Sequence, residues 1–153
     1  MSDEPNTGTD TGAETAAPVR SIYDSVLLAV IELAGTADTY APIRIGSLPV
    51  DNGLSMAIAT GSPIYSMDKG ARHELSIVLN GKHTDQATVS NTLGELHELL
   101  TTRTTYPTTA EGCQITNVET LTAPAYLDRE DNSQWLYGSS LRVKFYKGRD
   151  SIA

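Results

Sequence analysis

The stretch Trp135-Leu-Tyr-Gly-Ser-Ser-Leu-Arg-Val-Lys-Phe-Tyr146 changes character at nearly every step. Its odd positions carry Trp135, Tyr137, Ser139, Leu141, Val143 and Phe145, whereas its even positions include Gly138, Ser140, Arg142 and Lys144. Successive strand side chains point to opposite faces, so the pattern predicts one long strand with a buried and a wet side. It is the strongest periodic signal in the chain, and the other β structure is expected to pair with it.

Immediately before it, residues 128–133 read as a polar connection. Residues 113–121 read as the partner strand, with Cys113 as buried filler rather than a nucleophile. Further back, Val89, Leu93, Leu96 and Leu100 recur at helical spacing opposite Gln86, Ser90, Asn91, Glu95 and Glu98. This predicts an amphipathic helix over residues 85–100, capped at Thr84-Asp85. His97, between Glu95 and Glu98, reads as a solvated helix position. Leu75, Ile77 and Leu79 alternate ahead of an Asn80-Gly81 pair that signals a turn. Leu54, Met56 and Ile58 predict another strand, Pro42-Ile-Arg-Ile45 a short extended piece, and residues 65–72 a loop or hairpin tip.

Ser21 and Asp24 have the N-cap and N3 spacing of a first helix, which runs to Ala34 and stops at Gly35. Its polar residues Asp24, Ser25 and Glu32 fall in one narrow strip, and the rest is apolar. Two readings account for so apolar a helix: burial against another subunit, or deep burial within a monomer.

The order of elements predicts an α+β domain over residues 21–147: a mostly antiparallel, twisted sheet with two main helices on one side. Residues 1–20 are polar and acidic and read as a flexible arm unless bound, by a neighbouring subunit or by their own domain. Residues 148–153 form a short tail. A net charge of −8 disfavours generic nucleic-acid binding, and a lone Cys rules out an intramolecular disulfide. No apolar run is long enough for a membrane span or a secretory signal, so an intracellularly made protein is expected.

Chemical motifs are missing where they would be sought. Gly81-Lys82 lacks the first glycine of a phosphate loop, where Ser76 stands instead. Asp128, Glu130 and Asn132 mimic a calcium loop, but Ser133 and Ser139 occupy its glycine and bidentate glutamate positions. His73, His83 and His97 share no short ligand spacing. The sequence therefore predicts no enzyme, no metal and no cofactor. Arg142, Lys144, Lys147 and Arg149 gather four of the eleven basic residues. They serve either as a solvated strand face or as a complement to an acidic neighbour.

Three stretches together resemble a known family. They are Ser21-Ile-Tyr-Asp-Ser-Val leading to Ile43-Arg-Ile-Gly46, then Glu74-Leu-Ser-Ile-Val-Leu79 running into the helix ending at Leu100, and third Gly112-Cys-Gln-Ile-Thr-Asn-Val-Glu-Thr-Leu-Thr-Ala-Pro124 followed by the opening stretch. This order is similar to the small tail-terminator, or tail-completion, proteins of long-tailed bacteriophages, often labelled minor capsid proteins. The resemblance implies a virion protein, assembled in the host cytoplasm, that forms a homohexameric ring at the head-proximal end of the tail. Its partners would be the tail-tube protein and the head connector, with DNA passing through the lumen unbound and no membrane. Tyr23, Leu27, Leu28 and Ile31 of the first helix, with Arg142 and Lys144, are the candidate subunit-interface residues. Two rivals remain: a head-completion or neck protein, and a small α+β ligand-binding domain or enzyme with Tyr23, Tyr126, Trp135 and Tyr137 lining a pocket.

Overall fold

The computed structural model describes residues 21–59 and 72–147. The arm expected over residues 1–20, the tail at 148–153 and most of the loop at 65–72 lie outside them. The described chain runs α1 (Ile22–Ala34), β1 (Ile43–Ile45), β2 (Gly53–Ile58), β3 (Arg72–His83), α2 (Gln86–Thr101), β4 (Cys113–Arg129) and β5 (Trp135–Lys147). The strands form one sheet in the order β1-β2-β3-β5-β4. All neighbours are antiparallel except β1 and β2, so this is the expected α+β architecture with a mostly antiparallel sheet.

The opening stretch lies between two long partners, β3 and β4. On its odd face Tyr137, Ser139, Leu141, Val143 and Phe145 are all buried. Leu75, Ile77 and Leu79 of β3 join them, as do Leu54 and Met56 of β2. Val26 and Val30 of α1 and Val89, Leu93, Leu96 and Leu100 of α2 complete the same core, which places both helices on that face. Each fully buried aliphatic side chain contributes about 1.5–3 kcal/mol, so this layer is the main source of stability.

Both helices start where side-chain caps satisfy free amides. The Asp24 amide donates to Ser21 Oγ at 3.1 Å, as the Ser-x-x-Asp spacing predicts. In α2 the cap is Asp85, one residue later than the Thr84-Asp85 reading, and it accepts from the Thr88 amide at 3.2 Å. Helix α1 ends with Gly35 donating to Ile31 O at 2.9 Å.

Three local expectations fail. Asn80-Gly81 is not a turn: Asn80 pairs with Ser55 and Gly138, and Gly81 with Leu54 and Tyr137, inside continuous β3. Gly81 meets a packing demand instead, since a Cβ there would lie 3.0 Å from Leu54, the Tyr40 hydroxyl and Val89 Cγ2. Tyr40 cannot easily retreat, because its hydroxyl is held between Gly53 O at 2.9 Å and Lys82 O at 3.0 Å. Gly81→Ala is therefore expected to cost about 1–3 kcal/mol, readable as a lower midpoint in urea unfolding. A neutral result would show that Tyr40 is not fixed.

Second, β4 does not stop near residue 121 but continues through Pro124 to Arg129. It is the outer strand, so the amide that proline lacks can face away from the sheet. The connection to β5 shortens accordingly to residues 130–134, where Ser133 adopts φ 65° and its amide donates to Glu130 O at 2.9 Å. Third, His97 is buried rather than solvated.

Candidate functional site

The six candidate interface residues do not form one site. Leu27 is 5 % exposed and belongs to the subunit's own core, because α1 turns it towards the sheet. Ile31 and Tyr23 are half-buried and pack against that core. The Tyr23 ring meets His73 and Phe145 edge-on at 6.0 Å. Leu28 is half-buried like them but lies on the outward side of α1, next to exposed Asp24 and Glu32 along the helix surface.

Leu28 lines a groove of about 220 Å³ between α1 and residues 107–111, with Glu32 and Glu111 as its acids. A second depression of about 420 Å³ continues past Glu32 and Leu33 to Arg103 and Tyr106. The outward side of α1 is thus an indented surface with a mixed polar and apolar lining, and Glu32 borders both depressions.

Arg142 and Lys144 lie on the opposite face of the sheet, away from the helices. Arg142 sits 3.7 Å from Glu74 and 3.7 Å from Glu119, and Lys144 sits 3.0 Å from Glu119. Their charges are thus largely answered within the subunit, and Lys147 donates to Glu111 O at 3.0 Å. Half-exposed pairs of this kind contribute at most about 1 kcal/mol each. They hold a patterned, nearly balanced patch rather than an unpaired basic stripe. Arg149, the fourth basic residue of the run, falls outside the described residues.

The aromatic residues proposed for a ligand pocket separate along the sheet. Tyr126 packs on Trp135 at 5.8 Å and on Tyr137 at 6.2 Å, with Arg129 stacked 4.7 Å from the centre of the Trp135 ring. Tyr23 lies with Phe145, ten residues further along β5, which is roughly 33 Å of strand. A pocket of about 490 Å³ does lie at the Tyr23 end, lined by Arg72, His73, Glu74, Thr116, Lys144, Phe145 and Tyr146. The four aromatic residues nevertheless line no common cavity.

Burial brings together one polar group that sequence reasoning assigned to solvent. His97 Nδ1 lies 2.8 Å from Thr120 Oγ1, and His97 Nε2 lies 2.8 Å from Ser139 Oγ. Ser139 donates its own proton to Leu79 O at 2.9 Å. Ser139 Oγ therefore accepts from Nε2–H, and Nδ1 accepts from the Thr120 hydroxyl. A serine whose proton is committed to a backbone carbonyl is not poised as a nucleophile; this pair fastens α2 to β5 and β4. Burial pushes the His97 pKa below its ordinary value and the Cys113 thiol above its own. A raised thiol pKa agrees with Cys113 as core filler. The signal for His97 was available: it stands four residues after Leu93 and three before Leu100, on the buried side of α2.

Among the described residues, no group of three or more His, Cys, Asp or Glu is placed to hold a metal ion. No described helix is long and apolar enough to cross a membrane. Neither a protein-family model nor a curated protein sequence matches the chain. The fold, however, is found among solved structures. A chain in the virion of a native gene transfer agent particle superposes with a TM-score of 0.61 at 11% identity, over 84% of this chain and 99% of that one. Nearly the whole of that virion chain is thus similar in fold to this protein.

Proposed function

We propose that this protein is a virion structural component that acts as a tail terminator. It forms a ring, hexameric by the family resemblance, at the head-proximal end of a phage tail. There it ends tail-tube polymerisation and joins the tail to the head connector. The mechanism is geometric: a folded ring occupies the growing face of the tube and presents a different surface to the connector. The observation that carries the reading is the shared fold with nearly an entire chain of a gene transfer agent virion. The indented outward side of α1 supports it, since Leu28 and Glu32 edge a groove suited to another protein. The tube protein and connector are the partners, and DNA passes without being gripped, as the net charge of −8 favours. No catalytic step is assigned to it.

The test is a polymerisation assay. Added to growing tail-tube protein, the purified chain should cap tubes and hold their length constant, and its native mass should be a multiple of the subunit mass. Tubes that keep lengthening in its presence would remove the terminator role. A capped connector with tubes unaffected would move the protein to the neck.

Leu28→Glu tests the α1 surface. The side chain keeps some exposure on the outward side of α1, so the variant should retain a cooperative melt. The ring should dissociate at roughly tenfold or more higher concentration by light scattering, the usual scale for a disrupted contact worth more than about 1 kcal/mol. Normal assembly of this variant would take α1 out of the interface.

A further inference from the structure

The large hydrophobic side chains most exposed among the described residues are Ile45, Val50, Leu121, Tyr126 and Leu127. Ile45, 60% exposed, lies on β1 at one edge of the sheet. Leu121, Tyr126 and Leu127, 40%, 52% and 56% exposed, lie on β4 at the other edge. Val50 belongs to the β1–β2 connection, where its carbonyl accepts from Asn132 at 3.0 Å. Four strand spacings, roughly 19 Å, separate the two edges, so neither patch can cover the other within a subunit.

We infer that these two edges are the two halves of one contact, in which the β4 edge of one copy packs against the β1 edge of the next. This assignment rests on the self-assembly proposed above and names surfaces additional to α1.

Charge selects this arrangement over a two-fold one. Arg44, beside Ile45, is exposed and makes no ion pair with a described residue. Asp128, beside Leu127, is likewise without one, the neighbouring Arg129 lies over the Trp135 ring at 4.7 Å, and Asp131 follows in the adjoining turn. Joining β4 to β1 gives Arg44 an acidic neighbour. Joining β1 to β1 by a two-fold axis sets Arg44 against its own copy, and joining β4 to β4 leaves Ile45 uncovered. A contact between two different patches is heterologous, and it closes into a ring when the rotation per subunit divides a full turn.

The contact is made by side chains more than by added strand hydrogen bonds. Register shifts fall between Thr120 and Thr122, Thr122 and Ala125, and Tyr126 and Asp128. Irregularities this dense bend an edge away from simple ladder pairing. Pro124 removes a further donor from the same stretch. Leu127 still rests across Gly138, where a Cβ would come 2.6 Å from Leu127 Cδ1, so its side chain is held in place on the outer face of the sheet.

The deciding experiment is complementation with the full chain. Leu127→Lys damages only the β4 edge and Ile45→Lys only the β1 edge. By native mass spectrometry the wild type should be a multimer. Each variant alone should be monomeric, or assemble only above roughly tenfold higher concentration. An equimolar mixture should give a one-to-one heterodimer, because one intact contact is restored. Should either folded variant assemble as the wild type does, or the mixture stay monomeric, the edge assignment is overturned. With the wild type still multimeric in that case, assembly stands and only the surface is wrong. A wild type monomeric at every concentration overturns both. If either variant loses its cooperative melt, Leu121→Lys and Arg44→Glu replace it in the same scheme.

Discussion

Phe145→Ala should unfold at roughly 10–20 °C below the wild type, a loss of about 3–5 kcal/mol, and should lose assembly with it. Phe145 is the chain's single phenylalanine and is 2% exposed. Its ring stacks on His73 at 5.1 Å and 13°, and receives Tyr23 edge-on at 6.0 Å. Truncation thus removes one ring and loosens two others, one of which anchors the first turn of α1. The domain cannot collapse on the gap without moving β3 and β5, which are paired from Arg72–Tyr146 to His83–Trp135. Lys144→Ala, one position away on the other face, is the contrast. It removes a half-exposed ion pair with Glu119 and should cost no more than about 1 kcal/mol. Thermal melts of the two variants check the alternation directly. Comparable losses would mean that the odd face of β5 is not the core.

That contrast also marks what could be read in the chain. The two faces of β5 were legible because burial on one side imposes a period of two, and nothing else in the stretch competes with it. The helices were legible for a similar reason: their caps and apolar stripes are local, and a cap needs only a neighbour three residues away. What escaped depends on contacts distant in sequence. Gly81 reads as a turn residue until Tyr40 and Val89 are known to press on it. The continuation of β4 beyond residue 121, through Pro124 to Arg129, appears only once β4 is known to be the outer strand.

Surfaces are harder still, because composition alone does not distinguish an outward apolar residue from an inward one. Leu27 and Leu28 are adjacent and identical, yet only Leu28 is left partly open on α1. Arg142 and Lys144 were legible as an outward pair, but their partners Glu74 and Glu119 come from other strands. The β1 and β4 edges carried no sequence signal, since strand order decides which apolar residues stay uncovered. The α+β fold class could thus be reached from the order of elements, whereas which apolar residues stay uncovered required the sheet.

The buried histidine gives a pH-dependent prediction whose sign follows from its surroundings. Burial holds the His97 pKa below its ordinary 6.5, so the folded protein binds that proton less readily than the unfolded chain does. Stability from this group is complete above about pH 6.5 and is lost as pH falls below it, until the depressed folded pKa is passed. Protonation would oblige both ring nitrogens to donate. Ser139 Oγ already accepts from Nε2, and Thr120 would have to turn from donor to acceptor at Nδ1. The hydrogen bonds could survive, so the loss comes chiefly from placing a charge under α2. His97→Gln should flatten the fall in stability between pH 7.5 and pH 5.5. His97→Ala should cost about 2–4 kcal/mol at neutral pH, through a cavity and the loss of both hydrogen bonds. Urea unfolding of the wild type and both variants across that range separates the effects. Parallel pH profiles for the wild type and His97→Gln would show that His97 carries no proton linkage. A small loss for His97→Ala would show that α2 is held by its leucines alone, with the Thr120–His97–Ser139 bridge adding nothing to the join between helix and sheet.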